Sequence, residues 1–198
     1  MLNYIKENFS HFDHIQKSIK KIAFNMDIPI IRDDLVLYLE SILSIYSPKK
    51  ILELGSGLAY STYLFSKYSD KNCKIVSIDL SIETIQRCKN ILTSSKYIEK
   101  IEWIHSDALL FLKKNNLKEY DFFFIDALKI DYPKYFLEIY NNIDNGIIIL
   151  DNLYMNGKVN NKKSIIGQKI HLFNNSLYQY NGKFTFLPIG DGVGIFIK

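Results

Sequence analysis

The chain has 198 residues, 47% of them hydrophobic, with two cysteines and a net charge of +4 from 25 Lys and Arg against 21 Asp and Glu. That length suits one domain burying its own core, and two cysteines in separate elements exclude a disulfide scaffold or a cysteine metal cluster. No stretch approaches the roughly 20 apolar residues of a membrane span, and the opening MLNYIKENFSHFDHIQ has charges where a signal peptide needs an apolar run, so a cytoplasmic protein without membrane association is expected.

Ile5, Phe9, Phe12, Ile15, Ile19 and Ile22 recur at steps of three or four and predict a helix over 2–24. Its apolar stripe should pack on the domain or on a second copy of the chain, as a homodimer. After Asp27-Ile28-Pro29 a second helix is expected over 33–46, with Leu35, Leu39, Ile42 and Leu43 inward, and Pro48 resets the chain. An N-terminal helical segment, 1–46, thus precedes a regular alternation: strand 50–54, helix 60–68, strand 74–79, helix 81–93, strand 101–104, helix 107–114, strand 121–126, helix 132–140, strand 146–150. Such alternation predicts an α/β domain, a parallel sheet with helices on both faces. Residues 156–164, NGKVNNKKS, read as a mobile polar loop. Runs 183–187 and 193–197 flank Gly190-Asp191-Gly192 and predict a closing antiparallel hairpin, all within a single domain of residues 1–198.

The first strand, Ile51-Leu52-Glu53-Leu54, runs into Gly55-Ser56-Gly57 and then a helix, the place where an α/β domain holds a nucleotide-like cofactor. A dinucleotide fingerprint wants a third glycine where this chain has Tyr60, which weakens that reading. Glu53 points instead to S-adenosylmethionine, because E-x-G-x-G is similar to the first motif of the class I methyltransferases, in which the glutamate anchors hydrogen bonds around the amino-acid end of the cofactor. Asp79 closes the second strand, where an acid can accept both ribose hydroxyls of either cofactor or simply cap the next helix. Asp107 could bond the adenine amino group, cap helix 107–114, or both. Strands four and five end in Asp126 and in Asp151-Asn152; neighbouring strands of a parallel sheet bring their carboxyl ends side by side, so three oxygen donors can converge, a set that suits Mg²⁺. Each aspartate alone could equally be a helix cap.

These strings together resemble the divalent-metal-dependent O-methyltransferases, the group containing the catechol and caffeoyl-coenzyme A enzymes. The resemblance runs from about residue 26 to the C-terminus and rests on E-L-G-x-x-x-x-Y-S at Glu53–Ser61, F-I-D-A-x-K at Phe124–Lys129, Asp151-Asn152, and P-I-G-D-G at Pro188–Gly192. It implies a Rossmann-like class I methyltransferase fold with a seven-stranded, mostly parallel sheet. It also implies metal ligation by Asp126, Asp151 and Asn152, a general base at Lys129, and cofactor contacts from Glu53, Gly55, Ser56, Gly57, Tyr60, Ser61, Asp79, Asp126 and the turn Ser106-Asp107-Ala108. Ala59 stands where relatives commonly have glycine, a methyl that should be tolerated. A bound cation lowers the pKa of a chelating hydroxyl and depresses that of a nearby lysine, which would let Lys129 take the proton.

Two acceptors present the required pair of oxygens, a catechol and 5-hydroxyuridine. Ile28-Pro29-Ile30-Ile31, the Pro-Lys-Lys-Ile-Leu-Glu entry and Asp-Asn-x-x-x-x-Gly look like the bacterial tRNA 5-hydroxyuridine methyltransferases of this family, which makes tRNA the favoured partner. Lys158, Lys162 and Lys163 could meet its phosphates, although lysine is abundant throughout the chain. The alternatives are a small catechol-like substrate and a SAM-binding scaffold without activity. The intact Asp126, Lys129, Asp151 and Asn152 argue against the scaffold.

Overall fold

The computed structural model describes residues 12–198. Helices α1 (His14–Met26) and α2 (Asp33–Tyr46) lead into β1 (Lys50–Leu54), α3 (Tyr60–Tyr68), β2 (Lys74–Asp79), α4 (Ile82–Leu92), β3 (Ile101–His105) and α5 (Ala108–Lys114). The second half comprises β4 (Phe122–Ile125), α6 (Tyr132–Asn142), β5 (Ile147–Leu150), α7 (Ile165–Ser176), β6 (Lys183–Leu187) and β7 (Val193–Ile197). The seven strands form one sheet in the order β3-β2-β1-β4-β5-β7-β6. Strands β1 to β5 are parallel, and β7 runs antiparallel to both β5 and β6. The expected architecture is therefore present, including the closing hairpin.

The strands are apolar on both faces because both faces are covered. Phe122 and Phe124 pack with Ile51, Ile147 and Ile149 against the layer that contains α1, α2 and α3. Phe123 and Ile125 point the other way, joining Leu52, Leu54, Ile148 and Leu150 against α6 and α7. Each Phe so buried contributes about 1.5–3 kcal/mol of transfer free energy.

Three local expectations are corrected. A helix unbroken over 2–24 does not hold at Phe12-Asp13: Asp13 is extended (φ −73°, ψ 178°) and starts α1 by a capping box with Gln16, its side chain accepting from the Gln16 N–H at 2.9 Å. A short acid followed three residues later by Gln stops a helix from extending backwards, and that outweighs the continuous stripe. Residues 2–11 of that expectation, with Ile5 and Phe9, lie outside the described residues; Ile15, Ile19 and Ile22 pack on the chain's own core. The polar loop at 156–164 is instead folded as short 3-10 turns joined across a left-handed kink at Asn156 and Gly157, with Val159 buried and Gln168 Nε2 donating to the Val159 and Asn161 carbonyls. It is held by α7, which was not anticipated although Ile170, Phe173 and Leu177 repeat at helical spacing behind the cap Ser164. The remaining boundaries shift by one or two residues, because Ser81 and Asp107 cap α4 and α5 from outside, and Asp121 precedes β4 to accept the backbone N–H groups of Lys49 and Lys50.

The register brings the carboxyl ends of β1, β4 and β5 level, with Leu54 beside Ile125 and Ile125 beside Leu150. From β1 the chain goes outward to β2 and β3 and then returns to β4, so strand order reverses between β1 and β4. That crevice is where open α/β sheets bind ligands.

Candidate active site

A cavity of about 480 Å³ opens at this reversal point. One wall is the β1–α3 loop, from Gly55 through Gly57 to Tyr60 and Ser61. Its floor carries Asp126, Lys129, Asp151 and Asn152 from the ends of β4 and β5. The opposite wall combines Ile28–Ile31, before α2, with Met155, Asn156 and Lys158 after β5, and Asp191 from the hairpin.

Gly55 is held at φ +97°, and a Cβ there would lie 2.2 Å from the Asp126 carbonyl oxygen. Only glycine lets β1 turn this close to β4. Ala59 sits at φ 60°, ψ 21° as the residue before α3. A left-handed alanine costs roughly 1–2 kcal/mol, so its methyl is accommodated with strain, and a glycine would relieve it.

Glu53 is fully buried, and both carboxylate oxygens are engaged by hydroxyls: Ser61 Oγ donates to Oε1, and Thr62 Oγ1 and Ser77 Oγ donate to Oε2, each at 2.5 Å. It does not reach the cavity surface; it fixes the first turn of α3 against β2 and so sets where Ser61 points. The structure thus places Glu53 behind the donor loop, with its carboxylate on the hydroxyls of Ser61, Thr62 and Ser77. Burial pushes its carboxyl up from 4.5 to about 7, against the hydroxyls that hold it down. The folded state then keeps a proton that the unfolded state releases. This stabilisation is complete below about pH 4.5 and is lost as the pH rises to about 7. Glu53→Gln should remove the loss, gaining on the wild type by up to about 3 kcal/mol between those limits. Urea unfolding across pH 4.5–8 checks this; parallel wild-type and variant curves would sink it.

Asp79 lies one step outside the cavity wall. Its Oδ2 accepts the Ser56 N–H at 3.1 Å and its Oδ1 the Ser81 N–H at 2.9 Å, so it braces the glycine loop, while Ser81 caps α4. The Ser106-Asp107-Ala108 turn is farther along the same edge, linked by the Ser106 N–H to the Asp79 carbonyl at 3.1 Å. Asp107 does cap α5, accepting the Leu110 N–H at 2.8 Å. Of the expected cofactor residues, then, Gly55, Ser56, Gly57, Tyr60, Ser61 and Asp126 face the cavity, whereas Glu53, Asp79 and the 106–108 turn stand behind or beside it.

On the floor, Lys129 Nζ donates to Asp126 Oδ1 at 2.6 Å. Asp151 is 2% exposed, and its Oδ1 accepts the Asn152 N–H at 2.7 Å. Burial and the facing Asp126 carboxylate push the Asp151 carboxyl upward, opposed by the Asn152 N–H and Lys129. Asn152 occupies a left-handed conformation (φ 61°), which asparagine tolerates and which turns the chain sharply after β5. Among the described residues, neither Asp151 Oδ2 nor the Asn152 side-chain amide takes part in a hydrogen bond, and no group of three or more His, Cys, Asp or Glu is placed to hold a metal. The set here has two carboxylates and one amide. Its free oxygens and mutual repulsion fit a hard divalent cation.

The hairpin's role was not apparent from sequence. Both Asp191 carboxylate oxygens accept the Asn156 N–H at 2.9 Å, holding it in a left-handed run with Met155 (φ 53° and 50°). Gly190 donates to Asp34 Oδ2 and accepts from Arg32 Nη1, both at 2.9 Å, so the P-I-G-D-G string ties the two sides of one wall together.

The family model for O-methyltransferases matches residues 7–198. The chain belongs to the O-methyltransferase family. Other members resemble it at modest identity. A caffeoyl-CoA O-methyltransferase of Nicotiana tabacum is 26% identical over 171 residues, covering 79% of this chain and 71% of the relative. Tapetum-specific methyltransferase 1 of Arabidopsis thaliana is 26% identical over 181 residues, covering 85% and 76%. Among solved structures, a Staphylococcus aureus protein provisionally named a caffeoyl-CoA O-methyltransferase superimposes with a TM-score of 0.88 at 26% identity, covering both chains completely. The O-methyltransferase of Bacillus cereus, solved with SAH, gives 0.85 at 19% identity over 99% of this chain and 96% of that one, a likeness of fold.

Proposed function

We propose that this O-methyltransferase moves a methyl group from S-adenosylmethionine to a hydroxyl beside a second oxygen, with a divalent cation, Mg²⁺ or similar, held by Asp126, Asp151 and Asn152. The observation that carries the reading is the meeting of two halves in one cavity, the Gly55–Ser61 loop on one side and Asp126, Lys129, Asp151 and Asn152 on the other. In the B. cereus structure SAH is bound to the same fold, which supports the donor. The sulfonium supplies an activated methyl, and the cation supplies a Lewis acid that makes a chelating hydroxyl more acidic.

The chain's own part is positional and protolytic. Ser56, Gly57, Tyr60 and Ser61 hold the donor's amino-acid end. Asp79 and the 106–108 turn continue the edge along which its ribose and adenine lie. Lys129 takes the acceptor proton at Nζ, and the apolar Ile28–Ile31 wall limits water. Holding both reactants in near-attack geometry accounts for much of the acceleration. Calorimetric titration tests the donor: tight NAD binding without SAM binding would overturn this reading.

The acceptor we propose is 5-hydroxyuridine in tRNA. Support comes from Lys158 on the cavity wall and from the exposed Lys162 and Lys163 just beyond it. Lys162/Lys163→Ala should weaken tRNA binding and lower the slope of log affinity against log salt by about 2, since each lost phosphate contact removes about 1. An unaltered slope would count against the loop. Nucleoside mass spectrometry of tRNA from cells lacking the gene should show 5-methoxyuridine replaced by 5-hydroxyuridine; an unchanged profile would leave the second reading, a small catechol-like acceptor. The names of the caffeoyl-CoA relatives are consistent with that alternative.

A further inference from the structure

Tyr132, at the start of α6, is fully buried beneath the cavity floor and has no part in the chemistry described so far. Its hydroxyl lies 3.1 Å from the Ile125 carbonyl oxygen and 3.0 Å from the Asp151 carbonyl oxygen. Ile125 is the last residue of β4 and Asp151 the first after β5, so one proton is shared between two strand ends just where they stop pairing. Below this point the ladder holds the strands together; its last bond runs from the Asp151 N–H to the same Ile125 carbonyl at 3.1 Å. Beyond it Asp126 and Asn152 depart into separate loops. The ring has a second contact, with Lys129 Nζ 5.2 Å from its centroid.

Two carboxylates that repel across a floor need something to hold their backbones at a fixed separation. Tyr132 is the only buried side chain among the described residues whose hydroxyl bridges these two strands. We propose that Tyr132 is a positioning residue for the acidic floor: its hydroxyl pins the β4 and β5 ends so that Asp126 and Asp151 are preorganised for a divalent cation, while its ring supports Lys129. This rests on the metal reading above, and it assigns the pinning to a residue that touches neither the cation nor the substrates. Groups that orient metal ligands typically cost 10–100-fold in affinity when removed.

The test uses Mn²⁺ alone, with free ion followed by electron paramagnetic resonance, on wild type, Tyr132→Phe and the neighbouring control Tyr135→Phe, well below each melting temperature. Tyr132→Phe keeps the ring and removes one hydroxyl. It should bind Mn²⁺ at least about tenfold more weakly, with Tyr135→Phe and the SAM affinity of all three unchanged. Equal Mn²⁺ affinity in wild type and Tyr132→Phe would overturn the inference and leave the metal reading standing. A wild type that binds no Mn²⁺ would overturn both. Should Tyr132→Phe fail to fold, the wild type answers by proton NMR. A slowly exchanging Tyr132 hydroxyl that shifts on adding Mg²⁺ supports the pin, and one indifferent to Mg²⁺ in a protein that binds it removes the pin.

Discussion

Asp151→Ala is expected to cut methyl transfer by at least about a hundredfold while leaving S-adenosylmethionine affinity within about twofold of wild type. The separation follows from placement. Asp151 is buried on the floor and, among the described residues, its Oδ2 makes no protein hydrogen bond, whereas the donor loop is braced independently by Glu53 and Asp79. Removing an indirect partner of a metal ligand already costs 10–100-fold, so a direct ligand should exceed that. Asp151→Asn is the informative companion, because it keeps the volume and the Asn152 N–H contact while removing the charge. Turnover of hydroxyuridine-containing tRNA or a catechol, with and without chelator, checks the prediction. A wild type that retains full activity in chelator would refute the metal, and an Asp151→Ala enzyme at wild-type rate would refute the residue.

Lys129→Ala should slow the chemical step by about 10²–10⁴-fold, the usual contribution of a positioned general base, with little change in donor binding. Lys129→Arg makes the prediction sharper. Arginine can keep the ion pair with Asp126, which spans 2.6 Å in the native lysine, but it does not release its proton. Both variants should therefore be slow in single-turnover experiments. If Lys129→Arg keeps its rate, the side chain supplies charge alone and the base lies elsewhere.

Much of this was legible in the chain because the underlying signals are local. An apolar strand running into Gly55 and Gly57 dictates a turn, and acids at the ends of two adjacent parallel strands must lie close together. The fold's closing hairpin was visible for the same reason. What escaped depends on which side chains face each other across long separations. Glu53 stands at the end of β1 like a ligand-facing acid, yet its register partner is Ser77 and its oxygens are taken by hydroxyls of α3 and β2. The hydroxyl of Tyr132 and the carboxylate of Asp191 find backbone groups, which no residue pattern marks. The N-terminal helix failed differently: a strong periodic stripe hid a capping box at Asp13 and Gln16.

The hairpin that completes the cavity wall also carries a cost in time. β7 lies between β5 and β6, and Gly190 reaches back 156 residues to Asp34 and 158 to Arg32. During synthesis the apolar edge of β5, Ile147–Leu150, emerges well before the strand that covers it. Contacts of such span form slowly, and an uncovered edge of this composition can pair with other chains. The wall formed by Ile28–Ile31, Met155, Asn156, Lys158 and Asp191 should thus be among the last features to assemble, and refolding yield should fall with protein concentration more steeply than for a domain whose central strands find their neighbours early.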